Sequence, residues 1–197
     1  MQNPLNPGYW TEDELRQFGS PSVGSNVRFA KNCTVVGIEN MTFGHDVRID
    51  GPTVLSASGG HIHIGSHVHI GGMCFLAGGG GIDMEDFSGL SQAVRVYSAS
   101  DDYSGEGLTN PTVPRQYLNV KVAPVRLGRH VIVGSGTVIL PGCMIGEGAS
   151  VGAMSLVTKN LDPWGVYFGT PAKRLKARSK KLLGLEAELQ SREGSSS

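Results

Sequence analysis

The sequence predicts an all-β fold, a solenoid in which short coils of chain stack into a triangular prism. Three observations predict it: large apolar residues recur at every sixth position, a small or β-branched residue follows four positions after most of them, and 29 of the 197 residues are glycine. A period of six moves apolar side chains around a helix, and each glycine in a helix costs about 1 kcal/mol. A short fixed period is instead the signature of a repeat fold.

The large apolar residues at every sixth position, here called the apolar lattice, place one large side chain on each face of every coil. Three hexapeptides make one coil, and a coil buries its apolar side chains only when neighbouring coils cover them. The coils that start at Val23, Phe43, Ile64 and Met84 lie 20 or 21 residues apart, so extra residues widen a corner in each. The eighteen lattice positions are Val23, Phe29, Val35, Phe43, Ile49, Leu55, Ile64, Ile70, Leu76, Met84, Leu90, Val96, Leu127, Val133, Ile139, Ile145, Val151 and Val157.

Each corner of the prism requires a small residue, because the chain passes beneath the turn there. All three cysteines of the sequence fall on these positions. We therefore interpret them as packing residues, without a disulfide, zinc or redox role. The corner positions are Val27, Cys33, Val47, Thr53, Val68, Cys74, Ser88, Val94, Val131, Thr137, Cys143, Ala149 and Ser155.

One long segment interrupts the prism, which is predicted to form a single domain over residues 23–172. The lattice breaks between Val96 and Leu127, and residues 98–124 are polar and contain prolines. A connection of this length is uncommon in a compact domain unless it is functional. We predict that it forms a loop that projects from the prism and contributes to a site.

The two ends of the chain are predicted to be helical. Residues 1–22 form an N-terminal segment in which Thr11 and Glu14 make a capping box that opens a short helix. Residues 173–190 are predicted to form an amphipathic α-helix, and residues 191–197 a disordered tail. Both helices are expected to cover ends or edges of the solenoid.

Charge and hydropathy narrow the class of protein. The net charge is zero, but six cations lie between Lys173 and Lys181. Such a run fits either a phosphate-binding segment or a solvated helix face, and it requires no nucleic acid. The N-terminus is polar and broken by prolines, and no apolar run is long enough to span a bilayer, so we expect a cytoplasmic protein.

Beyond the lattice, three stretches resemble the hexapeptide-repeat acyltransferases, and in particular their maltose and galactoside acetyltransferase branch. They are IDMEDFSGLSQAVRVYSASD at 82–101, LGRHVIVGSGTVILPGCMIGEGASVGAMSLVTK at 127–159 and FGTPAKRLKAR at 168–178. The resemblance implies a left-handed parallel β-helix and a homotrimer with acyl-CoA in the groove between adjacent chains. It implies an acetyl-CoA-dependent acetyltransferase that acts on a sugar in lipopolysaccharide or other surface polysaccharide biosynthesis, with no metal.

The resemblance also assigns residues to the two substrates. Extended pantetheine can pair with exposed backbone groups, so few CoA-specific side chains are required. The groove residues by position are Ser135, Ala153, Thr158 and Lys159, the cations for the CoA phosphates are Lys173 and Arg174, and the acceptor contact is Gln92. Tyr103 is a second candidate acceptor contact, which follows from its residue type and not from the resemblance, because a tyrosine in the loop can stack on a sugar or a nucleotide base.

The catalytic base is where this sequence departs from the family pattern. Sugar O-acetyltransferases have a histidine at the position of Asp101, which is followed here by Asp102. A carboxylate with its ordinary pKa is a weaker base than imidazole by roughly 3.5 kcal/mol unless burial raises its pKa. Asp101 is therefore a base with a raised pKa, a carboxylate that orients an acceptor ammonium, or a loop residue only. The missing histidine favours N-acetylation of an amino sugar, which can be nucleotide-linked.

Three alternatives remain open at this point. The first is O-acetylation of a maltose- or galactoside-like sugar, with a base such as His45 or His130 facing the groove of a neighbouring chain. The second is a zinc carbonic anhydrase of the gamma class, whose metal is held by histidines from two chains. The histidines that suggest it alternate with inward-facing residues and are His61, His63, His67 and His69. The third is a non-catalytic trimeric scaffold.

Overall fold

Three parallel β-sheets form the faces of a prism in the computed structural model, which describes residues 6–194. Consecutive strands of one coil belong to different faces, so each strand pairs with its equivalent one coil away. Residues 22–157 of the described chain make six complete coils, since each face receives one strand from every coil. The fold is thus the predicted solenoid.

The strands divide among the faces as follows. The first face contains β2 (Ser22–Val23), β5 (Met41–Phe43), β8 (Ile62–Ile64), β11 (Ile82–Met84), β16 (Val125–Leu127) and β19 (Met144–Ile145). The second contains β1 (Tyr9–Trp10), β3 (Arg28–Ala30), β6 (Arg48–Ile49), β9 (His69–Ile70), β12 (Gly89–Leu90), β17 (Ile132–Val133), β20 (Ser150–Val151), β22 (Gly165–Phe168) and β23 (Lys173–Ala177). The third contains β4 (Thr34–Val36), β7 (Val54–Ser56), β10 (Phe75–Ala77), β13 (Arg95–Tyr97), β18 (Val138–Ile139) and β21 (Leu156–Val157). A separate pair, β14 (Ala99–Ser100) and β15 (Lys121–Val122), closes the base of the loop.

Parallel pairing in register stacks the lattice side chains directly over one another. Leu55, Leu76 and Val96 form one such column behind the third face. Seventeen of the eighteen lattice positions are buried, and Val35 is half-buried. Twelve of the thirteen corner positions are also buried, with Cys33 half-buried. The predicted core is therefore confirmed.

Antiparallel strands close both ends of the second face. β1 pairs with β3 at one end and β23 pairs with β22 at the other. Open edges would otherwise be available for pairing with other chains. The helix α1 (Glu12–Gln17) begins with the predicted capping box: the Glu14 N–H donates to Thr11 Oγ1 and the Thr11 N–H donates to the Glu14 carboxylate. Single 3-10 turns cover Ile38–Asn40 and Arg115–Tyr117.

The C-terminal segment differs from the prediction. Residues 173–177 form β23, so the helix predicted over 173–190 is wrong in its first part. The backbone groups of β22 require partners on their outer side, and this requirement outweighs the helical pattern of the segment. The helix α2 runs from Leu182 to Gly194, so residues 191–194 are helical rather than disordered, and the rest of the predicted tail lies outside the described residues. Neither helix in the described part of the chain has the length and apolar character needed to cross a bilayer.

The corner between the first and second faces, the first corner, carries a column of stacked side chains. One residue per coil adopts a left-handed φ between 56° and 65° there, a conformation that costs a non-glycine residue roughly 1–2 kcal/mol. Stacking offsets part of this cost, since the Phe87 ring lies 4.5 Å from the ring of His67 and 5.1 Å from that of His130. The column consists of Asn26, Asp46, His67, Phe87, His130, Gly148 and Trp164.

Trp164 closes this column at its C-terminal end. Its indole covers Gly148, where a Cβ would lie 2.5 Å from the ring, so only glycine leaves room. The indole lies 6.4 Å from the His130 ring, and Lys180 Nζ lies 5.1 Å from the indole centroid. The Arg178 guanidinium donates to the carbonyls of His130 and Gly148 at 2.7 and 3.0 Å. The segment after β22 is thereby attached to the first corner.

Candidate active site

Three predicted substrate contacts lie in line along one edge of the prism, the second corner, where the second and third faces meet. Gln92, Ser135 and Ala153 occupy equivalent positions in successive coils. The Ser135 hydroxyl donates to Gln92 Oε1 at 3.3 Å, and the Met154 N–H donates to the Ser135 carbonyl at 2.8 Å. Gln92 and Ala153 are exposed and Ser135 is half-buried. The edge therefore presents a row of small polar and apolar groups at one-coil spacing.

A second group of predicted contacts surrounds a cavity at the C-terminal end of the prism. The cavity has a volume of about 440 Å³, and Lys159, Lys173 and Arg174 line it together with one carboxylate, Asp162. The net positive charge of the residues that line this cavity suits a ligand that carries phosphate. Thr158 is exposed and directly precedes Lys159 in the chain. The structure thus brings together the three cations that the sequence assigned to CoA.

The loop begins at the third corner, where the chain passes from the third face to the first. Asp101 follows β14 directly and is exposed, and Tyr103 is 94% exposed. Strand β13 lies between Gln92 and Asp101, so the width of the third face, on the order of 15–20 Å, separates them. One chain by itself does not bring Asp101 and Tyr103 to the row of Gln92, Ser135 and Ala153.

Asp102 is held inside the loop by hydrogen bonds. Its carboxylate accepts from the Ser104 hydroxyl at 2.7 Å, the Ser104 N–H at 2.9 Å and the Gly107 N–H at 2.9 Å. These bonds, the Ser104 side chain first, lower the pKa of Asp102 to about 2. A carboxylate stabilised in this way is a weaker base than a free one. These hydrogen bonds show that Asp102 orders the loop. A catalytic role for Asp102 stays a prediction.

The remaining titratable candidates occupy other parts of the prism. His130 is not available to a neighbouring chain, contrary to the prediction: its side chain is 8% exposed and its Nε2 lies 2.7 Å from the Glu186 carboxylate on α2. His45 Nδ1 accepts from the Ser25 N–H at 3.1 Å. Burial raises the pKa of the Cys74 thiol to about 11, which agrees with a packing role for this cysteine.

Comparison with known proteins identifies acyltransferases. Residues 124–159 match the family model "Bacterial transferase hexapeptide (six repeats)". The dTDP-4-amino-4,6-dideoxy-D-glucose acyltransferase of Escherichia coli is 38% identical over 179 residues, which are 91% of this chain and 93% of the relative. The maltose O-acetyltransferase of Clostridium difficile is 23% identical over 86% of this chain and 75% of the relative, with a TM-score of 0.53, and supports the fold alone.

The N-acyltransferase AntD of Bacillus cereus has been solved with dTDP and 3-hydroxybutyryl-CoA. It is 42% identical to this chain, with a TM-score of 0.91, over 96% of this chain and 99% of AntD. Further AntD structures carry substitutions of one aspartate, or of one serine ten positions before it, and some of them contain dTDP-4-amino-4,6-dideoxyglucose and coenzyme A. The match to AntD extends over the loop as well as the coils.

Loop order is predicted to depend on the charge of Asp102. The pKa of Asp102 falls from an ordinary 3.8 to about 2 in the folded loop, so its ordering effect is complete above about pH 4 and is lost as the pH falls through about 2. Amide exchange of Ser104 and Gly107, followed by NMR, should show protection that declines over this range beyond the intrinsic pH effect. In Asp102→Asn, which does not titrate, the decline should vanish. If the wild-type amides were equally protected above and below this pH range, Asp102 would not be the residue that orders the loop.

Proposed function

This chain belongs to the hexapeptide-repeat transferase family, and from that membership we propose that it transfers the acyl group of an acyl-CoA, in the first instance acetyl-CoA, to the amino group of a dTDP-linked amino sugar. The amine nitrogen attacks the thioester carbonyl, a C–N bond forms and the C–S bond breaks. Coenzyme A leaves as the thiol, and the amine loses one proton. Backbone N–H groups at the edge of a coil are suited to hold the oxyanion.

The observation that carries this proposal is the carboxylate at position 101. A sugar hydroxyl requires a base during attack, whereas a neutral amine attacks without help once its ammonium has lost a proton. A carboxylate suits the second case, because it pairs with the ammonium and orients the nitrogen. Asp101 is exposed within one chain and so is free to meet an acceptor.

The AntD variants support this choice of residue. Ser91 and Asp101 are the only pair in this sequence in which an aspartate follows a serine by ten residues, which is the order and separation of the two substituted positions in AntD. Ser91 lies at the second corner beside Gln92, and its N–H donates to the Val133 carbonyl at 2.8 Å. We therefore add Ser91 to the acceptor site. Sequence reasoning missed it, because a serine at a corner is common throughout the repeat.

The second corner and the cationic cavity together suit coenzyme A. Extended pantetheine fits a straight edge whose backbone groups repeat at one-coil spacing. The cavity lined by Lys159, Lys173 and Arg174 provides the positive charge for the phosphates. In this arrangement the thioester lies near Gln92 and Ser135, and Tyr103 of the loop is left to contact the acceptor.

The proposal includes a homotrimer, which the third face favours. The outward side chains of the first and second faces include many that are charged or polar, such as Asp83, Arg126, Arg48 and His69. The outward side chains of the third face are mostly apolar and include Val36, Val54, Phe75, Tyr97, Val138, Leu140 and Leu156. An apolar face of this kind is typical of an interface between copies.

A trimer with its third faces turned toward the axis would complete the site. It sets the second corner of one chain against the third corner of the next, so that Asp101 of a neighbour reaches the row of Gln92 and Ser135. This arrangement resolves the separation seen within one chain. The product is an activated acylamino sugar of the class used for surface polysaccharides such as lipopolysaccharide, and we place the reaction in the cytoplasm, where nucleotide-linked sugars are made.

The acceptor class is tested by thiol release from acetyl-CoA. Purified enzyme should use dTDP-4-amino-4,6-dideoxyglucose with a kcat/KM on the order of 10²-fold or more above those for dTDP-glucose and maltose, because the site is built for nitrogen. Asp101→Ala should lower turnover at least about tenfold. Asp13→Ala, an exposed aspartate on α1, is the matched control. A preference for maltose would favour the O-acetyltransferase alternative, and unchanged turnover of Asp101→Ala would remove this residue from the mechanism.

The cationic cavity is tested with coenzyme A lacking its 3′-phosphate. Lys173→Ala should raise the KM for acetyl-CoA about five- to fiftyfold by removing one charge-assisted contact. The same substitution should have a smaller effect with the dephosphorylated cofactor if Lys173 contacts the 3′-phosphate. Lys176→Ala, on the same strand but outside the cavity, should leave both KM values unchanged. An equal rise in KM for both variants and both forms of the cofactor would indicate a general effect of positive charge and contradict a specific contact of Lys173.

The shared site is tested by mixing two inactive chains. Asp101→Ala removes the loop carboxylate and should alone keep at most about a tenth of the wild-type turnover. Ala153→Trp blocks the exposed second corner and should be inactive alone. Random mixed trimers should regain about a quarter of the wild-type activity, since that fraction of sites combines two intact halves. No recovery above the sum of the separate variants would contradict a site shared between chains.

A further inference from the structure

The first face carries a compact group of potential metal ligands that the acyl transfer does not use. His61 and His63 lie in and beside β8, and Asp83 lies on β11 one coil further. Among residues 6–194 this is the only group of three or more such side chains whose ligand atoms all lie within 4.8 Å of one another. The two imidazoles stack with centroids 4.2 Å apart, and both point toward the same carboxylate oxygen.

The distances in this group match those of a metal site. His61 Nε2 lies 3.1 Å from Asp83 Oδ1, and His63 Nδ1 lies 3.2 Å from the same atom. Nitrogen and oxygen ligands of a tetrahedral zinc ion, bonded at about 2.0–2.1 Å, stand roughly 3.3 Å apart. Both nitrogen–oxygen separations are therefore compatible with one shared ion, and all three ligand atoms lie within 4.8 Å of one another.

The surroundings hold these ligands in position and leave them accessible. The His61 ring packs over Gly81, where a Cβ would meet the ring at 2.5 Å. Arg126 Nε lies 3.5 Å from Asp83 Oδ2, so it orients the carboxylate and leaves Oδ1 for another partner. The three side chains are 36%, 51% and 28% exposed, and His63 and Asp83 line an open cavity of about 710 Å³.

We propose that His61, His63 and Asp83 bind one divalent transition-metal ion, with zinc as the reference, on the outer surface of the prism. Two imidazoles and one carboxylate suit this class of ion and leave at least one coordination position for water. The ion would link two successive coils of the first face. None of the three ligands is among the residues that we assign to acyl transfer, so we assign the ion a structural role.

The test is zinc titration of chelator-treated enzyme by calorimetry, with metal analysis of the dialysed protein. One zinc ion per chain is expected to bind to the wild type and to raise its melting temperature. His63→Ala and Asp83→Asn should each weaken binding at least tenfold. Cobalt substitution should give the visible absorption of a four- or five-coordinate nitrogen and oxygen site in the wild type, and this absorption should be absent from His63→Ala and Asp83→Asn.

The chain offers a matched control in the pair of His69 and Asp50. His69 Nε2 lies 2.9 Å from Asp50 Oδ2 and is as exposed as His63, but this pair has a single imidazole. His69→Ala should therefore bind zinc like the wild type. No stoichiometric binding, or equal binding by His63→Ala, would overturn the proposal. Acyl transfer by the metal-free enzyme should be unchanged. A protein that does not bind zinc would therefore leave the proposed acyl transfer untouched. A loss of acyl transfer on chelation would overturn the structural role of the ion.

Discussion

The in-register stacking of one large apolar side chain per face and per coil is the constraint on which the rest of this structure depends. Each coil leaves its apolar side chains open above and below, so it is stable only between neighbours. The small residues at the corners make the stacking possible, because a large side chain would prevent the chain from turning. On the second face, the antiparallel strands β1 and β23 cover the outer edges of β3 and β22.

The same stacking turns each edge of the prism into a column with one position per coil. At the first corner this column contains the stacked rings of His67, Phe87 and His130 and ends at Trp164, and α2 docks beside it through Glu186, which contacts Arg129 and His130. At the second corner the column is small and open at Gln92, Ser135 and Ala153. The first corner is thus used for stability, whereas the second is free for a linear ligand.

The proposed activity follows from how the loop interrupts this regular arrangement. The loop leaves the prism after β13, at a corner that the third face separates from the open column. A coil cannot bring two of its own edges together, because the packed core keeps the faces flat and apart. Association of chains through an apolar face is the physical means by which these two edges can meet.

Sequence alone determined the fold class, the core and the position of the loop, because a six-residue period records which side chains face inward in every coil. It also named, as candidate site residues, the three cations that line the C-terminal cavity and Asp101. Only the tertiary structure decided that residues 173–177 form a strand, because the segment itself has a helical pattern and nothing in it shows that the outer edge of β22 requires a partner. It likewise buried His130 against Glu186 and gathered His61, His63 and Asp83, since such contacts join residues that are distant in sequence and leave no local pattern in the chain.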